Sequence, residues 1–264
     1  MEILLSNDDG VSAPGLAAHA RVLAALGNVH VVAPDGDRSA FSHALTLEKP
    51  LHPRALENGF ISLNGTPADC VHVALNGLLG FTPDLVVSGI NSGANLGDDV
   101  IYSGTVAAAM EGRFLDSLSL AVSAVNPQCN FDEAAKITLA IVNKLPDLDI
   151  PNRTVLNINI PDLPIEKIKG VKLTRLGHRG PAKDVIEIKD PKGRTHYWIG
   201  AAGGEEDAGP GTDFHAIRDG YVSMTPLQAD MSYYESLKLC RGGLIQFLFK
   251  KAFKFNLETA VGLA

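Results

Sequence analysis

The first 160 residues switch repeatedly between two patterns of hydrophobic and polar positions. Short apolar runs of strand type occur at ILLS, VHVVAP, DLVVSG, LAVSAV and TVLNINIP. Segments with helical periodicity lie between them, at about 15–26, 67–79, 105–115 and 131–144. Alternating strands and helices are typical of βαβ units, whose strands form a parallel sheet. The pattern therefore predicts an α/β fold with a Rossmann-like, doubly wound and mostly parallel sheet.

Two stretches interrupt this alternation, and we expect both to leave the main sheet. Residues 45–63 read as a β-hairpin that turns at the sequence ENG. Within residues 176–220, the segment VIEIKDPKGRTHYWIG has strand-type flanks around the turn sequence DPKG, which predicts a protruding hairpin arm. We expect one domain over residues 1–230, including this arm, followed by a C-terminal helical tail over 231–264.

The tail places bulky apolar residues, such as Phe247 and Phe253, beside a basic cluster of Lys250, Lys251 and Lys254. A core or oligomer-contact helix is the interpretation that we favour. A surface helix that binds an anionic membrane or a partner protein is the alternative.

Composition and charge narrow the possible partners and location. The chain has 23 Lys and Arg against 30 Asp and Glu, a formal net charge of -7, which argues against a nucleic-acid partner. Three widely spaced cysteines without metal-ligand spacing indicate neither a disulfide framework nor a zinc site. The N-terminus shows no secretory signal, and no apolar run approaches about 18 residues, so we expect a cytoplasmic protein and consider membrane association unlikely.

Candidate chemistry follows the predicted strands. Asn7, Asp8 and Asp9 come directly after the first strand. Ser39 follows the second strand and Asn91 follows DLVVSG. Ligands of open parallel sheets bind at the carboxyl ends of the strands. Two adjacent carboxylates repel unless a cation lies between them, and oxygen ligands favour Mg²⁺ or Mn²⁺. The alternative, stronger for an isolated Asp-Asp-Gly, is that Asp8 caps a helix or a turn.

A glycine-rich polar loop, in SGINSGANLGDDVIYSGTVAAAMEG, leads into an Ala-rich helix. Small residues at a helix N-terminus expose backbone N–H groups, which bind anions. An ordinary N-cap is the alternative for Ser103-Gly104-Thr105 taken alone. The first turn lacks GxGxxG and carries two anions, which argues against a dinucleotide site. Metal-assisted phosphate chemistry is compatible with both loops.

Five segments closely resemble the stationary-phase survival protein SurE family of metal-dependent nucleotidases. They are ILLSNDDGVSAPG, VVAPDGDRSAFSHALTLEKPL, GTPADCV, DLVVSGINSGANLGDDVIYSGTVAAAMEG and DAGPGTDFHAIRDGYVSMTPL. The resemblance spans roughly residues 1–230 and weakens after about Tyr233. It implies a SurE-like fold and hydrolysis of nucleoside monophosphates, with 3′-nucleotides or short polyphosphate as further substrates.

The resemblance also implies roles for individual residues. Asp8, Asp9, Ser39 and Asn91 would hold one divalent cation per subunit, Mg²⁺ or Mn²⁺, and Asn95, Ser103, Gly104 and Thr105 would bind the substrate phosphate. Asp8 and Asp9 are the candidate catalytic residues, with Asp8 as the base or water-orienting group in hydrolysis by a metal-activated water.

Several alternatives stay open at this point. Asp8 could instead form an aspartyl-phosphate, although the adjacent Asp-Asp pair argues against that chemistry. A nucleotide-binding regulator without turnover is a function of a different class. None of His43, His178, His196 and His215 can be assigned from sequence as the leaving-group acid. Trp198 on the arm could stack on a base, but the resemblance implies a homodimer or homotetramer with exchanged arms.

Overall fold

The computed structural model describes residues 1–115 and 118–240. The chain divides into two units, Met1–Gln228 and Ala229–Ala264. The helices are α1 Pro14–Leu23, α2 Pro67–Val73, α3 Gly104–Glu111, α4 Phe131–Val142, α5 Asp213–Arg218 and α6 Tyr234–Cys240. The strands are β1 Glu2–Ser6, β2 Asn28–Pro34, β3 Pro53–Ala55, β4 Ile61–Leu63, β5 Leu85–Ser92, β6 Ser119–Ala124, β7 Val155–Ile160, β8 Val171–Leu173, β9 His178–Arg179, β10 Ile186–Lys189, β11 Thr195–Trp198, β12 Glu205–Asp207 and β13 Val222–Leu227.

In these described residues the main sheet has nine strands, in the order β3-β4-β2-β1-β5-β6-β7-β13-β8. The central strands β2, β1, β5, β6 and β7 pair in parallel. From β1 the chain moves first to β2 on one side and later to β5 on the other side. This reversal creates a crevice at the carboxyl ends of β1 and β5, where open α/β sheets bind ligands.

Apolar side chains of the central strands point alternately to the two faces of the sheet. Ile3 and Leu5 belong to one buried cluster together with residues of α1 and α4, and Leu4 belongs to another with residues of α2 and α3. Helices therefore cover both faces, which confirms the predicted doubly wound α/β fold.

Local sequence determines where the helices begin. Thr66 and Asp69 form a capping box at the start of α2, with each side chain bonded to the other residue's backbone N–H, and Pro67 occupies the first turn. The side chains of Ser103 and Asn130 cap α3 and α4 in the same sense, by accepting hydrogen bonds from backbone N–H groups. The capping alternative for Ser103 is thus present in the structure.

One expectation about the interruptions requires correction, and one segment gains elements that were not predicted. The hairpin in residues 45–63 exists as β3 and β4, but β4 pairs in parallel with β2, so the hairpin extends the edge of the main sheet instead of leaving it. The segment DAGPGTDFHAIRDGYVSM, for which no helix or strand was predicted, contains α5 and the start of β13. Strand β13 inserts into the main sheet, antiparallel to β7.

The hairpin arm is confirmed as an antiparallel pair of β10 and β11. A second short pair, β9 with β12, precedes and follows it along the chain. None of the helices in the described ranges combines the length and apolar character that a membrane span requires. The proposed tail beyond Cys240 lies outside the described residues, and the predicted domain boundary stays a prediction.

Candidate active site

The loops after β1 and β2 pack against each other at the carboxyl end of the sheet. The Arg38 N–H donates to the Asp8 carbonyl at 2.8 Å, and the Val11 N–H donates to the Pro34 carbonyl at 2.8 Å. Gly10 makes the approach possible, since it has φ of 100° and a Cβ there would lie 3.0 Å from the Gly36 carbonyl carbon. The segment that carries Ser39 is thereby fixed next to Asp8.

The end of β5 joins the same region. The Ser92 N–H donates to Asp9 Oδ2 at 3.0 Å, which ties the first acidic loop to the strand that carries Asn91. The Asn91 amide donates to the Gly93 carbonyl at 2.8 Å, so its side-chain oxygen remains an available acceptor. The three loops that the sequence singled out therefore meet at one edge of the sheet.

The loop after β2 contributes a third carboxylate. Asp37 Oδ1 accepts hydrogen bonds from the Ser39 N–H at 2.8 Å and from the Ser39 hydroxyl at 2.6 Å. This pair of bonds orients Ser39. Because the Ser39 hydroxyl donates in its bond, the lone pairs of its oxygen stay free for a cation. Asp37 was among the acidic residues of this loop but was not assigned a role from sequence.

Helix α3 starts directly against Asp8. The Thr105 hydroxyl donates to Asp8 Oδ1 at 2.5 Å, and Thr105 is fully buried. A Cβ on Gly104 would lie 2.8 Å from Asp8 Cβ and 3.0 Å from Pro67 Cγ, so only glycine allows the helix to come this close. The N-terminus of α3, with its unpaired N–H groups, is therefore adjacent to the acidic loop.

Electrostatics at the site favour an added positive charge. Burial raises the pKa of Asp8 to about 6, the hydrogen bond from Thr105 opposes this rise, and the charges of Asp9 and Asp37 add to it. Burial also raises the pKa of Asp9, against the hydrogen bond from the Ser92 N–H, and the charge of Asp37 contributes. A cation among these groups would stabilise their ionised forms.

The glycine-rich loop is anchored through Asn95 to the next two strands. Its side-chain amide donates to the Ser123 hydroxyl at 2.7 Å, and its backbone N–H donates to Asn159 Oδ1 at 2.8 Å. Its carbonyl accepts from the side-chain amides of Asn157 and Asn159 at 2.9 and 3.0 Å. These bonds hold Asn95 in place, and its assignment to phosphate binding stays a prediction.

Comparison with known proteins identifies the family. The family model "Survival protein SurE" matches residues 3–183 of this chain. The chain belongs to the SurE family. A relative from Pseudomonas fluorescens (strain Pf0-1), named 5′-nucleotidase SurE, is 58% identical over 245 residues, covering 92% of this chain and 98% of the relative. One with the same name from Pseudomonas aeruginosa (strain LESB58) is 55% identical over 249 residues, covering 94% and 98%.

A solved structure supports the same family. The crystal structure of the SurE protein from Aquifex aeolicus is 45% identical, with a TM-score of 0.81 over 93% of this chain and 100% of that chain. The nine-stranded α/β architecture is thus that of a SurE protein.

The donor set of this SurE-family chain fits a hard divalent cation. Within residues 1–115 and 118–240, no group of three or more His, Cys, Asp or Glu side chains is arranged to hold a metal ion. The predicted donor set adds the neutral oxygens of Ser39 and Asn91 to Asp8 and Asp9, and it stays a prediction. Such an incomplete oxygen set suits Mg²⁺ or Mn²⁺, which commonly keep several water ligands.

The histidines that the sequence left unassigned each lie beside a carboxylate. His43 Nε2 is 2.7 Å from Glu111 Oε1, and His178 Nδ1 is 3.1 Å from Asp98 Oδ1. His196 and His215 lie 3.3 Å from Asp190 and Asp219, respectively. These partners point to structural roles, so the acid for the leaving group stays unassigned.

Sequence analysis missed a buried residue that supports the glycine-rich loop. Asp213 is fully buried and accepts hydrogen bonds from the N–H groups of Gly97 at 2.8 Å, Gly177 at 2.9 Å and Phe214 at 2.9 Å. Its place in the sequence gave no indication of partners 36 and 116 residues away.

Proposed function

We propose that this SurE-family protein is a divalent-metal-dependent 5′-nucleotidase that hydrolyses nucleoside monophosphates to nucleoside and phosphate. The convergence of Asp8 and Asp9 with the N-terminus of α3 supports the proposal, because two carboxylates suit a cation and the N–H groups of a helix N-terminus suit an anion. The names and 55–58% identities of the Pseudomonas relatives support nucleotidase activity.

Each group of residues has a distinct part in the proposed reaction. Asp8, Asp9, Ser39 and Asn91 would hold one Mg²⁺ or Mn²⁺ per subunit. Such a cation acts as a Lewis acid and acidifies a bound water. Asn95, Ser103, Gly104 and Thr105 would bind and orient the phosphate, with the N–H groups of α3 opposite the charge that develops on its oxygens.

Asp8 is proposed as the base or the group that orients the attacking water. Thr105 engages Oδ1 and fixes the carboxylate, which leaves the second oxygen for a cation or a water. The pKa of about 6 in the metal-free site lies closer to neutrality than that of an ordinary aspartate. Asp9 adds negative charge beside it and holds the end of β5.

The proposal extends to assembly and substrate range. We propose a cytoplasmic homodimer or homotetramer that exchanges the β10–β11 arms, which expose Ile186, Tyr197 and Trp198. We also propose 3′-nucleotides and short polyphosphate as secondary substrates.

The deciding experiment measures phosphate release by metal-stripped protein from 5′- and 3′-nucleoside monophosphates and short polyphosphate, with and without Mg²⁺ or Mn²⁺. We expect metal-dependent release from 5′-nucleotides, reduced at least about 100-fold in Asp8→Asn. Nucleotide binding without release would favour the regulator. Trapping of a phosphorylated Asp8 would favour the aspartyl-phosphate mechanism.

A further inference from the structure

Two exposed aromatic side chains adjoin the candidate active site. Phe41 is 50% exposed and lies two residues after Ser39. Tyr102 is 63% exposed and directly precedes Ser103 at the start of the candidate phosphate site. The proposed metal and phosphate residues leave both rings unassigned. Large apolar surfaces beside a polar site mark places where a ligand binds.

The backbone around Phe41 is strained in a way that ordinary loops avoid. Ala40 has φ of 61° and Ser42 has φ of 54°, so non-glycine residues on both sides of Phe41 adopt the left-handed conformation. Such residues persist only where surrounding contacts hold them, and they concentrate at ligand-binding and active sites. Phe41 is therefore presented to solvent by a fixed turn.

Hydrogen bonds from Ser42 connect this turn to the segment that carries Tyr102. The Ser42 N–H donates to the Tyr102 carbonyl at 3.1 Å, and the Ser42 hydroxyl donates to the Ile101 carbonyl at 2.7 Å. These two bonds hold the strained turn. They also place Phe41 and Tyr102 on adjoining backbone segments, one leading from the metal loop and one leading into α3.

The guanidinium group of Arg38 makes a third contact, with the ring of Phe41. The Arg38 guanidinium carbon lies 5.9 Å from the centroid of the Phe41 ring. Arg38 is itself held by Asp35 at 2.7 Å and by the Gly65 carbonyl at 3.3 Å. The aromatic ring is thus part of the same network that fixes the loop against Asp8.

We propose that Phe41 and Tyr102 bind the nucleoside part of the substrate, with the base packed against their rings while the phosphate lies at the start of α3. The inference rests on the proposed nucleotidase function and adds a site for the part of the substrate that does not react. Aromatic side chains bind bases by stacking, which requires exposed ring faces and no fixed pattern of hydrogen bonds. Binding energy from this part of the substrate would orient the phosphate for hydrolysis.

The test compares AMP with ribose 5-phosphate, which carries the same reacting phosphate but no base. The variants are Tyr102→Leu and Phe41→Leu, with Tyr102→Phe to restore a ring without the hydroxyl. Phe114→Leu serves as the matched control, because Phe114 is similarly exposed, at 66%, but follows the opposite end of α3. Equilibrium dialysis of AMP and ribose 5-phosphate measures binding in parallel and needs no turnover.

We expect Tyr102→Leu and Phe41→Leu each to lower kcat/KM for AMP by about 5- to 100-fold and to change it less than about twofold for ribose 5-phosphate. Tyr102→Phe and Phe114→Leu should stay near the wild type with both substrates. Equal losses on both substrates, or none on AMP, would overturn the inference. So would a change in the molar mass in solution, which would assign the rings to a subunit contact.

Binding separates this inference from the proposed function. If wild-type protein releases no phosphate but prefers AMP to ribose 5-phosphate in dialysis, and Tyr102→Leu removes the preference, the nucleotidase proposal fails and the nucleoside site stands. If wild-type protein hydrolyses AMP and ribose 5-phosphate equally well and binds them equally, the nucleotidase stands and the nucleoside site fails.

Discussion

The burial that suits Asp8 to its proposed role also makes this side chain unfavourable for the stability of the fold. It is almost fully buried, next to two other carboxylates, and its pKa is raised to about 6. The ionised form is therefore less favourable in the folded chain than in the unfolded chain, where the pKa is near 3.8. Without a cation, this carboxylate destabilises the fold above about pH 6 and has no such effect below about pH 4.

We predict that Asp8→Asn stabilises the metal-free protein by about 1–2 kcal/mol at pH 7.5, while it abolishes activity. The amide oxygen of asparagine still accepts the hydrogen bond from Thr105, but the charge is gone. Denaturant unfolding at pH 7.5 and pH 4 measures the effect. The gain should disappear at pH 4, and an equal gain at both pH values would contradict the electrostatic explanation.

The same pKa predicts how cation affinity depends on pH. A cation that binds Asp8 displaces its proton whenever the pH is below about 6. We expect the Mn²⁺ dissociation constant, measured by calorimetry, to be about tenfold higher at pH 5 than at pH 7.5. Proton release that accompanies binding should increase over the same interval. A constant affinity would show that Asp8 does not titrate there.

At the scale of elements, the position of the start of α3 depends on the absence of a side chain at Gly104. Alanine at Gly104 would place Cβ within 3.0 Å of both Asp8 and Pro67, so the helix would have to move away from the acidic loop. We predict that Gly104→Ala reduces kcat/KM at least about 100-fold, because small displacements of a positioned group are costly in catalysis.

The matched control is Gly77→Ala, which lies in the π-helical turn after α2. A Cβ at Gly77 meets no atom within 4 Å. We expect this variant to keep full activity and to gain up to about 1 kcal/mol in stability through better helix propensity. Phosphate release measures the activity of both variants, and thermal unfolding measures their stability. Loss of activity in Gly77→Ala would show that the assay is sensitive to any change in helical glycines.

Glu111, at the other end of α3, joins three elements. His43 and Arg113 contact its Oε1 at 2.7 and 3.1 Å, and His72 on α2 contacts its Oε2 at 3.0 Å. Burial disfavours ionisation of Glu111, but these three hydrogen bonds outweigh it and lower the pKa of the carboxyl to about 2. The ionised carboxylate therefore stabilises the fold above about pH 4.5, and the contribution is lost as the pH falls through 2.

We predict that Glu111→Gln lowers the free energy of unfolding by about 1–3 kcal/mol at pH 7. The difference between wild type and variant should shrink steadily between pH 4.5 and pH 2, because only the wild type loses a charge there. Unfolding in denaturant over this pH range measures the difference. A difference that stays constant with pH would assign the loss to packing.

The contrast between the predicted and observed elements has a physical basis. Strands β1, β5 and β7 were predicted because each contains Ile or Val among closely spaced apolar residues, a composition that favours strands. Strand β13 was missed, since it is defined by pairing with β7 from 64 or more positions away and contains Pro226. The loops that carry Asp8 and Ser39 were found because strand ends mark them. Asn91 was expected directly after its strand, whereas it lies near the end of β5. The Thr105–Asp8 bond and the Glu111 contacts arise only from packing.

At the scale of the molecule, the hairpin arm is the clearest candidate for assembly. Ile186 and Trp198 are cross-strand neighbours on β10 and β11, and they are 58% and 65% exposed. Exposed apolar side chains on a two-stranded arm are unfavourable in water unless another surface covers them.

We predict that the double variant Ile186→Ser, Trp198→Ser lowers the molar mass in solution relative to wild type, as measured by light scattering. Lys189→Ser, on the same arm, is the control and should keep the wild-type mass. If the double variant also keeps it, the arms do not hold the subunits together.

Asp213 has a consequence for the order in which the chain acquires its structure during synthesis. Its carboxylate accepts from the N–H groups of Gly97 and Gly177, so this second anchor of the glycine-rich loop forms only after more than 100 further residues have been translated. A nascent chain released before residue 213 would contain every proposed metal and phosphate residue and still lack that anchor. Amide exchange at Gly97 should be fast in such a fragment and slow in the whole protein. The candidate active site would therefore be completed late in synthesis, together with the last strands of the main sheet.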